Sequence, residues 1–158
     1  MEDSSKFHTV RGYQLMEQNK KLLTSAMEDY LEMIYRNSLI DGYLRITTLS
    51  ELLNVSAPSA TNMVQKLSTL GLLVYKKHGI IRLSENGKEI GKFLLYRHEI
   101  IEQFLKNLNV KENLLIETEL IEHNLSATTL QRFNLFNQFV QTNPDILDQF
   151  NQFANYHI

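Results

Sequence analysis

Thr48 to Leu83 reads TLSELLNVSAPSATNMVQKLSTLGLLVYKKHGIIRL, and the fold follows from how this stretch divides. Thr48-Leu-Ser-Glu51 has the form of a capping box and opens a short helix that ends at Leu53. Asn54-Val55 makes a tight connection. Ser56 caps the next helix, with Pro58 tolerated in its first turn. Along that helix Ala60, Met63, Val64, Leu67 and Leu70 recur at spacings of three and four, and Gly71 stops it. Leu72 to Lys77, a turn at His78-Gly79, and Ile80 to Leu83 then form a β-hairpin. Two helices joined by a short turn and followed by a hairpin make a helix-turn-helix with a wing.

The flanking residues extend this unit. Ser25-Ala-Met-Glu28 reads as another capping box, and Tyr30, Leu31, Ile34 and Tyr35 continue it as a helix over 25–38. Asp41-Gly42 is a turn, and Tyr43 to Ile46 is a short extended stretch. After the wing, Ser84 caps a long helix over 85–107 that carries Ile90, Phe93, Leu94, Ile101, Phe104 and Leu105. Helices are expected over 111–124, 127–141 and 145–155, with Asn143-Pro144 breaking the last two. Residues 1–24 are weakly patterned; Tyr13, Leu15, Met16, Leu22 and Leu23 are compatible with a helix, but nothing there carries chemistry. The expected fold is mainly α: an extension at 1–24, a winged helix-turn-helix domain at 25–92 with its small hairpin, and a helical domain at 93–158.

Composition narrows the function. A chain of 158 residues with 43% hydrophobic and 22% charged side chains can bury a core. No apolar run approaches the roughly 18 residues of a membrane span, and the polar Met1 to Lys6 has no secretory character. Cysteine is absent, which excludes disulfides, thiolate metal sites and cysteine nucleophiles and suits a reducing cytoplasm. The net charge of −2 conceals a segregation: residues 45–92 carry seven basic and three acidic side chains, whereas 93–158 carry four and eight. A basic centre in an acidic chain points to a local anionic partner such as DNA.

The helix that opens at Ser56 has the chemistry of a recognition helix. Its N-terminal end presents Ser56, Pro58, Ser59 and Thr61, followed by Asn62, Gln65 and Lys66. Such an end enters the major groove, where Asn and Gln read adenine edges bidentately and hydroxyls pair with either kind of edge. Lys76 and Lys77 at the wing tip are expected to contact phosphate or the minor groove.

Three clusters of metal-ligand residues stand out. Asp29 and Glu32 lie three apart on the first helix, His98 sits on the long helix, and Glu119, Glu122 and His123 share one side of the next. Each cluster alone reads as a solvated helix face. If the helices converge, four carboxylates and two imidazoles would repel one another without a cation, and imidazole with carboxylate is ordinary ligation for manganese, iron or zinc. His98-Glu99 lacks the second histidine of the zinc-protease motif, and the chain does not supply the two Glu-x-x-His repeats of a di-iron bundle. No hydrolase triad or phosphate loop is visible, so an enzyme is not expected.

At these residues the sequence resembles the diphtheria toxin repressor/manganese transport regulator (DtxR/MntR) family of metal-dependent repressors. The resemblance spans about residues 25–141 and rests on Ser25-Ala-Met-Glu-Asp-Tyr-Leu-Glu-Met-Ile-Tyr35, Val64-Gln-Lys-Leu67, Tyr96-Arg-His-Glu99 and Glu119-Leu-Ile-Glu-His-Asn-Leu-Ser126. It implies a homodimer formed through the C-terminal helices, a palindromic operator near metal-uptake genes, and no organic cofactor. Asp29, Glu32, His98, Glu119, Glu122 and His123 match the ligands of the manganese-responsive branch, with two ions per subunit. Iron-responsive members place sulfur-bearing residues where this chain has Asp29 and Glu119; carboxylates harden the site and favour Mn(II) over Fe(II), Co(II) or Zn(II). Asn124 replaces a second histidine of the nearest manganese regulators, and Leu120 replaces a small residue. The competing reading is a winged-helix regulator controlled by a small organic ligand.

Overall fold

The computed structural model describes residues 4–19 and 22–157. Residues 1–3 and 20–21 of the expected extension, and residue 158, lie outside the described residues. The chain divides after Leu95 into two compact units.

The first unit contains α1 (Ser4–Asn19), α2 (Ser25–Ser38), β1 (Leu44–Arg45), α3 (Ile46–Leu52), α4 (Ala57–Thr69), β2 (Leu73–Lys76), β3 (Ile80–Leu83) and the start of α5 (Glu85–Asn107). The strands form an antiparallel sheet in the order β1-β3-β2, with Leu44 opposite Ile81 and Tyr75 opposite Ile81 from the other side. Alternation sends Leu44, Leu73 and Ile81 inward, where they are buried with Leu31 and Ile34 of α2, Leu49 of α3 and Ala60, Val64 and Leu67 of α4. This one core fixes α4 against α2, α3 and the hairpin, leaving the polar side of α4 exposed.

Several boundaries differ from the sequence expectation, each for a local reason. The N-cap of α2 is Thr24, not Ser25: its extended backbone precedes the helix and its hydroxyl accepts from the Met27 N–H at 3.3 Å. Two adjacent hydroxyl residues make the pattern ambiguous by one position. Thr48 does not open α3. Arg45 pairs with Ile80 as a strand residue and the chain turns helical directly after it, so α3 begins at Ile46 with no side-chain cap. At the wing tip the expected turn at His78-Gly79 is present, with both residues at positive φ. Ser56 and Ser84 cap as expected, accepting from the Ser59 N–H at 3.3 Å and the Gly87 N–H at 3.1 Å.

Residues 4–19, before α2, form a helix. Helix α1 lies along the start of α5, with Met16 buried and the Tyr13 ring edge-on to Phe93 at 5.7 Å. Gly12 makes the approach close: a Cβ there would sit 2.6 Å from Phe93 Cβ and 2.7 Å from the Glu89 carbonyl oxygen.

The second unit contains the remainder of α5, α6 (Leu114–Glu122), α7 (Ala127–Thr142) and α8 (Pro144–His157). Helix α6 is shorter than expected because Asn109 and Asn113 take left-handed backbone, which holds 111–113 as a turn, and His123 becomes its C-cap. Phe104 of α5 stacks on Phe133 of α7 at 3.9 Å and meets Phe136 edge-on at 5.4 Å. Beside this aromatic cluster the Asn107 amide donates to Asn137 Oδ1, and the Asn137 amide donates to the Ile100 carbonyl, both at 2.9 Å. A cleft of about 620 Å³ lies over these amides. Leu115, Ile116 and Leu120 of α6 and Leu135 and Phe139 of α7 remain exposed, an apolar surface in need of a cover. No helix among the described residues is long and apolar enough to cross a membrane.

The start of α5 is fixed by Gly87, where a Cβ would fall 1.8 Å from the Leu72 carbonyl oxygen, the same oxygen that accepts from the Ser84 N–H at 3.0 Å. The closest neighbour is the Leu72 backbone, which cannot swing aside as a flexible side chain can. Gly87→Ala is expected to lower stability by about 1–3 kcal/mol through overpacking, read as a lower urea midpoint at unchanged slope; an unchanged midpoint would show that the junction can relax.

Candidate metal centre and nucleic-acid interface

The recognition surface is built by the two faces of α4. Ala60, Val64 and Leu67 are buried, so Asn62, Gln65 and Lys66 are exposed on the other side, as are Ser56, Pro58 and Ser59 at the N-terminal end. Thr61 is half-buried. The Ser56 hydroxyl donates to Ser59 Oγ at 2.8 Å, so these two side chains cap the helix and are partly committed before any base is met. Lys76 and Lys77 are exposed at the wing tip.

Two basic residues, counted in the charge of the central segment, were not singled out as contacts. The register aligns Lys76, Ile80 and Arg45 across the three strands and places Arg82 opposite Val74 on the same outward face. Arg45, Lys76 and Arg82 are all exposed there, and the Arg82 guanidinium lies 5.8 Å from the centre of the Tyr43 ring. Strand alternation applied to the cations as well as to the apolar residues would have found them. This face and the adjoining end of α4 make a basic surface suited to a polyanion.

The candidate metal ligands fall into both units. In the first, α2 carries Asp29, partly exposed, and Glu32, 8% exposed, three residues apart and so on one side of the helix. Arg36, one turn on, donates from Nη2 to Glu32 Oε1. In the second unit, His98 on α5 and Glu122 at the end of α6 meet in the interior: His98 Nδ1 lies 3.0 Å from Glu122 Oε2, with His98 7% exposed and Glu122 1%. His123 follows as the C-cap, its Nε2 3.8 Å from Glu122 Oε1 and its Nδ1 3.4 Å from Arg97 Nη2. The second unit thus brings together His98, Glu122 and His123. Glu119, one turn earlier on α6, is exposed.

A carboxylate this deeply buried is expensive unless it is paired. An imidazole nitrogen and a carboxylate oxygen at contact distance, in a chain without cysteine thiolates, fit a divalent cation.

Comparison with known proteins agrees with this division of labour. Residues 22–81 match the family model "Iron dependent repressor, N-terminal DNA binding domain", and residues 84–151 match "Iron dependent repressor, metal binding and dimerisation domain". The HTH-type transcriptional regulator MntR of Lysinibacillus sphaericus is 41% identical over 125 residues, covering 78% of this chain and 90% of the relative. The regulator of the same name from Geobacillus thermodenitrificans is 43% identical over 119 residues, covering 75% and 84%. Among solved structures, the manganese regulator SloR aligns with a TM-score of 0.62 at 33% identity over 72% of this chain; the chain spans about half of that protein, 54% of its length. Matched through both its DNA-binding and its metal-binding parts, the chain belongs to the iron-dependent repressor (DtxR/MntR) family of metal-dependent, DNA-binding transcription regulators, a family of regulators and not of enzymes.

Proposed function

We propose that the chain is a manganese-responsive repressor in which Asp29, Glu32, His98, Glu119, Glu122 and His123 hold two Mn(II) ions per subunit and the homodimer binds a palindromic operator of metal-uptake genes. The observation that carries this reading is the buried His98–Glu122 pair inside the domain that matches the family's metal-binding model. The choice of manganese is supported by carboxylates at Asp29 and Glu119, which favour a hard cation over a sulfur-seeking one, and by the likeness to the manganese regulator SloR. Glu119 is exposed and is therefore the ligand with the most freedom to adjust when an ion binds. The exposed apolar residues of α6 and α7 support burial against a second copy.

The proposed switch follows from where the ligands stand in the chain. Asp29 and Glu32 belong to the DNA-binding unit, the other four to the dimerising one. Shared ligation would hold the two recognition helices of a dimer near one turn of DNA apart, about 34–36 Å. Without metal those helices would sample other separations, and binding would carry the ordering cost. Linkage then requires operator DNA to tighten metal binding by the factor by which metal tightens DNA binding.

The test is operator binding by fluorescence anisotropy, with and without Mn(II), Fe(II), Co(II) and Zn(II). His98→Ala should reduce Mn(II) affinity by at least the 10–100-fold typical of losing support at a metal site, and should remove the metal-dependent gain in DNA affinity. Operator binding that ignores every metal would sink the switch.

The reading side of α4 makes a separate prediction. Asn62→Ala and Gln65→Ala should each cost about 1–3 kcal/mol on the true operator and relax discrimination at one base position. Lys76→Ala or Arg82→Ala should instead weaken binding to all sequences alike and flatten the salt dependence by about one counterion. Equal losses on operator and random DNA for Asn62→Ala would remove it from base reading.

A further inference from the structure

Two of the proposed ligand side chains face guanidinium groups. Arg36 Nη2 donates to Glu32 Oε1 within the first unit, and Arg97 Nη2 faces His123 Nδ1 at 3.4 Å within the second. A guanidinium has five donors and no acceptor and does not lose its charge in a protein. Whatever atom it faces must therefore offer a lone pair, and a lone pair is what a metal ion needs. Nδ1 of His123 must accept from Arg97, so a neutral His123 in this contact carries its proton on Nε2, the nitrogen turned towards Glu122.

We propose that Arg36 and Arg97 are built-in counter-cations of the metal centre: Arg36 occupies a ligand atom of Glu32 and is displaced by metal, Arg97 stays beside His123, and together they set the metal concentration at which the regulator switches. The proposal rests on the metal-centre reading above and adds residues that are not themselves ligands. The two arginines differ in how they can leave. The Arg36 side chain is 43% exposed and can swing into water at little cost, so it acts as a soft competitor. Arg97 is 7% exposed and has no such route, so its charge stays close to whatever His123 binds. In both cases a dication at the ligand gains less than the bare carboxylate or imidazole would give it, because an existing favourable contact is lost and a like charge remains nearby.

This has a measurable sign. Removing a supporting residue weakens metal binding, whereas removing a competing cation strengthens it. The test is Mn(II) titration of the full-length protein by calorimetry, in wild type, Arg36→Gln and Arg36→Lys, with thermal melting to confirm that each variant is folded. Arg36→Gln should bind Mn(II) about three- to tenfold more tightly, the modest range expected of a partly exposed charge. The gain should shrink as salt is raised towards 1 M, where screening acts within about 3 Å. Arg36→Lys keeps the charge and should stay within about twofold of wild type. Arg36→Gln binding Mn(II) equally or more weakly than a wild type that binds it overturns this proposal alone. A wild type with no saturable binding of Mn(II) overturns the metal-centre reading and this proposal with it.

Discussion

Glu122 is 1% exposed and its nearest partner is an imidazole at 3.0 Å. An ionised carboxylate so far from water needs a positive charge, and a single histidine supplies one only when protonated. The architecture of the second unit serves this demand. Thr118, fully buried one turn earlier, returns its hydroxyl to the Leu114 carbonyl and so brings no unsatisfied group to the interior face of α6. The helix stops immediately after the carboxylate, which places His123 at the C-cap beside it. On α5, Arg97 and His98 are both buried. A stability argument alone would have filled these positions with leucine; the burial of His98, Glu122 and Arg97, with His123 half-buried beside them, is intelligible as an ion site.

The first unit obeys a different constraint, the close approach of backbones. Gly87 under the Leu72 carbonyl, Gly91 against Tyr35 and Gly12 against Phe93 admit three neighbours to one helix at distances that a side chain would forbid. Helix α5 is therefore gripped by the wing base, by α2 and by α1 before it reaches His98. Helix α1, which lies outside the family's matched domains, is seated on this unit through Phe93, which Tyr13 meets edge-on and Gly12 approaches closely. The charge of Arg11 also adds, after the hydrogen bond and charge of Lys88, to the forces holding the Glu85 carboxyl below its ordinary value at the helix start.

The sequence was most legible where one residue type has one physical role. Ser56 before a Pro-containing first turn and Ser84 before the long helix cap as read, because each stands alone as a hydroxyl after an extended residue. Ambiguity arose where roles compete. Thr24 and Ser25 are both competent caps, and only the chain's path through the buried Leu23 decides between them. Thr48 lost to Arg45 because strand pairing with Ile80, a tertiary fact, starts α3 early. The ligand types were legible from helical spacing, but their separation into the buried Glu122, the half-buried His123 and the exposed Glu119 was not, since all three project from a single helix end. Arg36 and Arg97 were invisible for a related reason: an arginine one turn from a carboxylate is commonplace on any helix, and only its contact with a prospective ligand atom gives it meaning.

The segregation of charge along the chain acquires a purpose from these placements. Five of the seven cations of 45–92 lie on α4, the wing and its outward sheet face, while the excess of acid lies in the unit that carries most of the proposed ligands. Each proposed pair of ions would add four positive charges to a subunit whose formal charge is −2. The metal-free dimer approaches DNA as a net anion with a basic face; the loaded dimer would approach as a net cation. Long-range steering therefore works in the same direction as the geometric switch, raising the rate of encounter while ordering raises its productivity. The arginines at Glu32 and His123 belong to the same economy of charge. Arg36 offsets the charge of one ligand carboxylate, Glu32, when metal is absent.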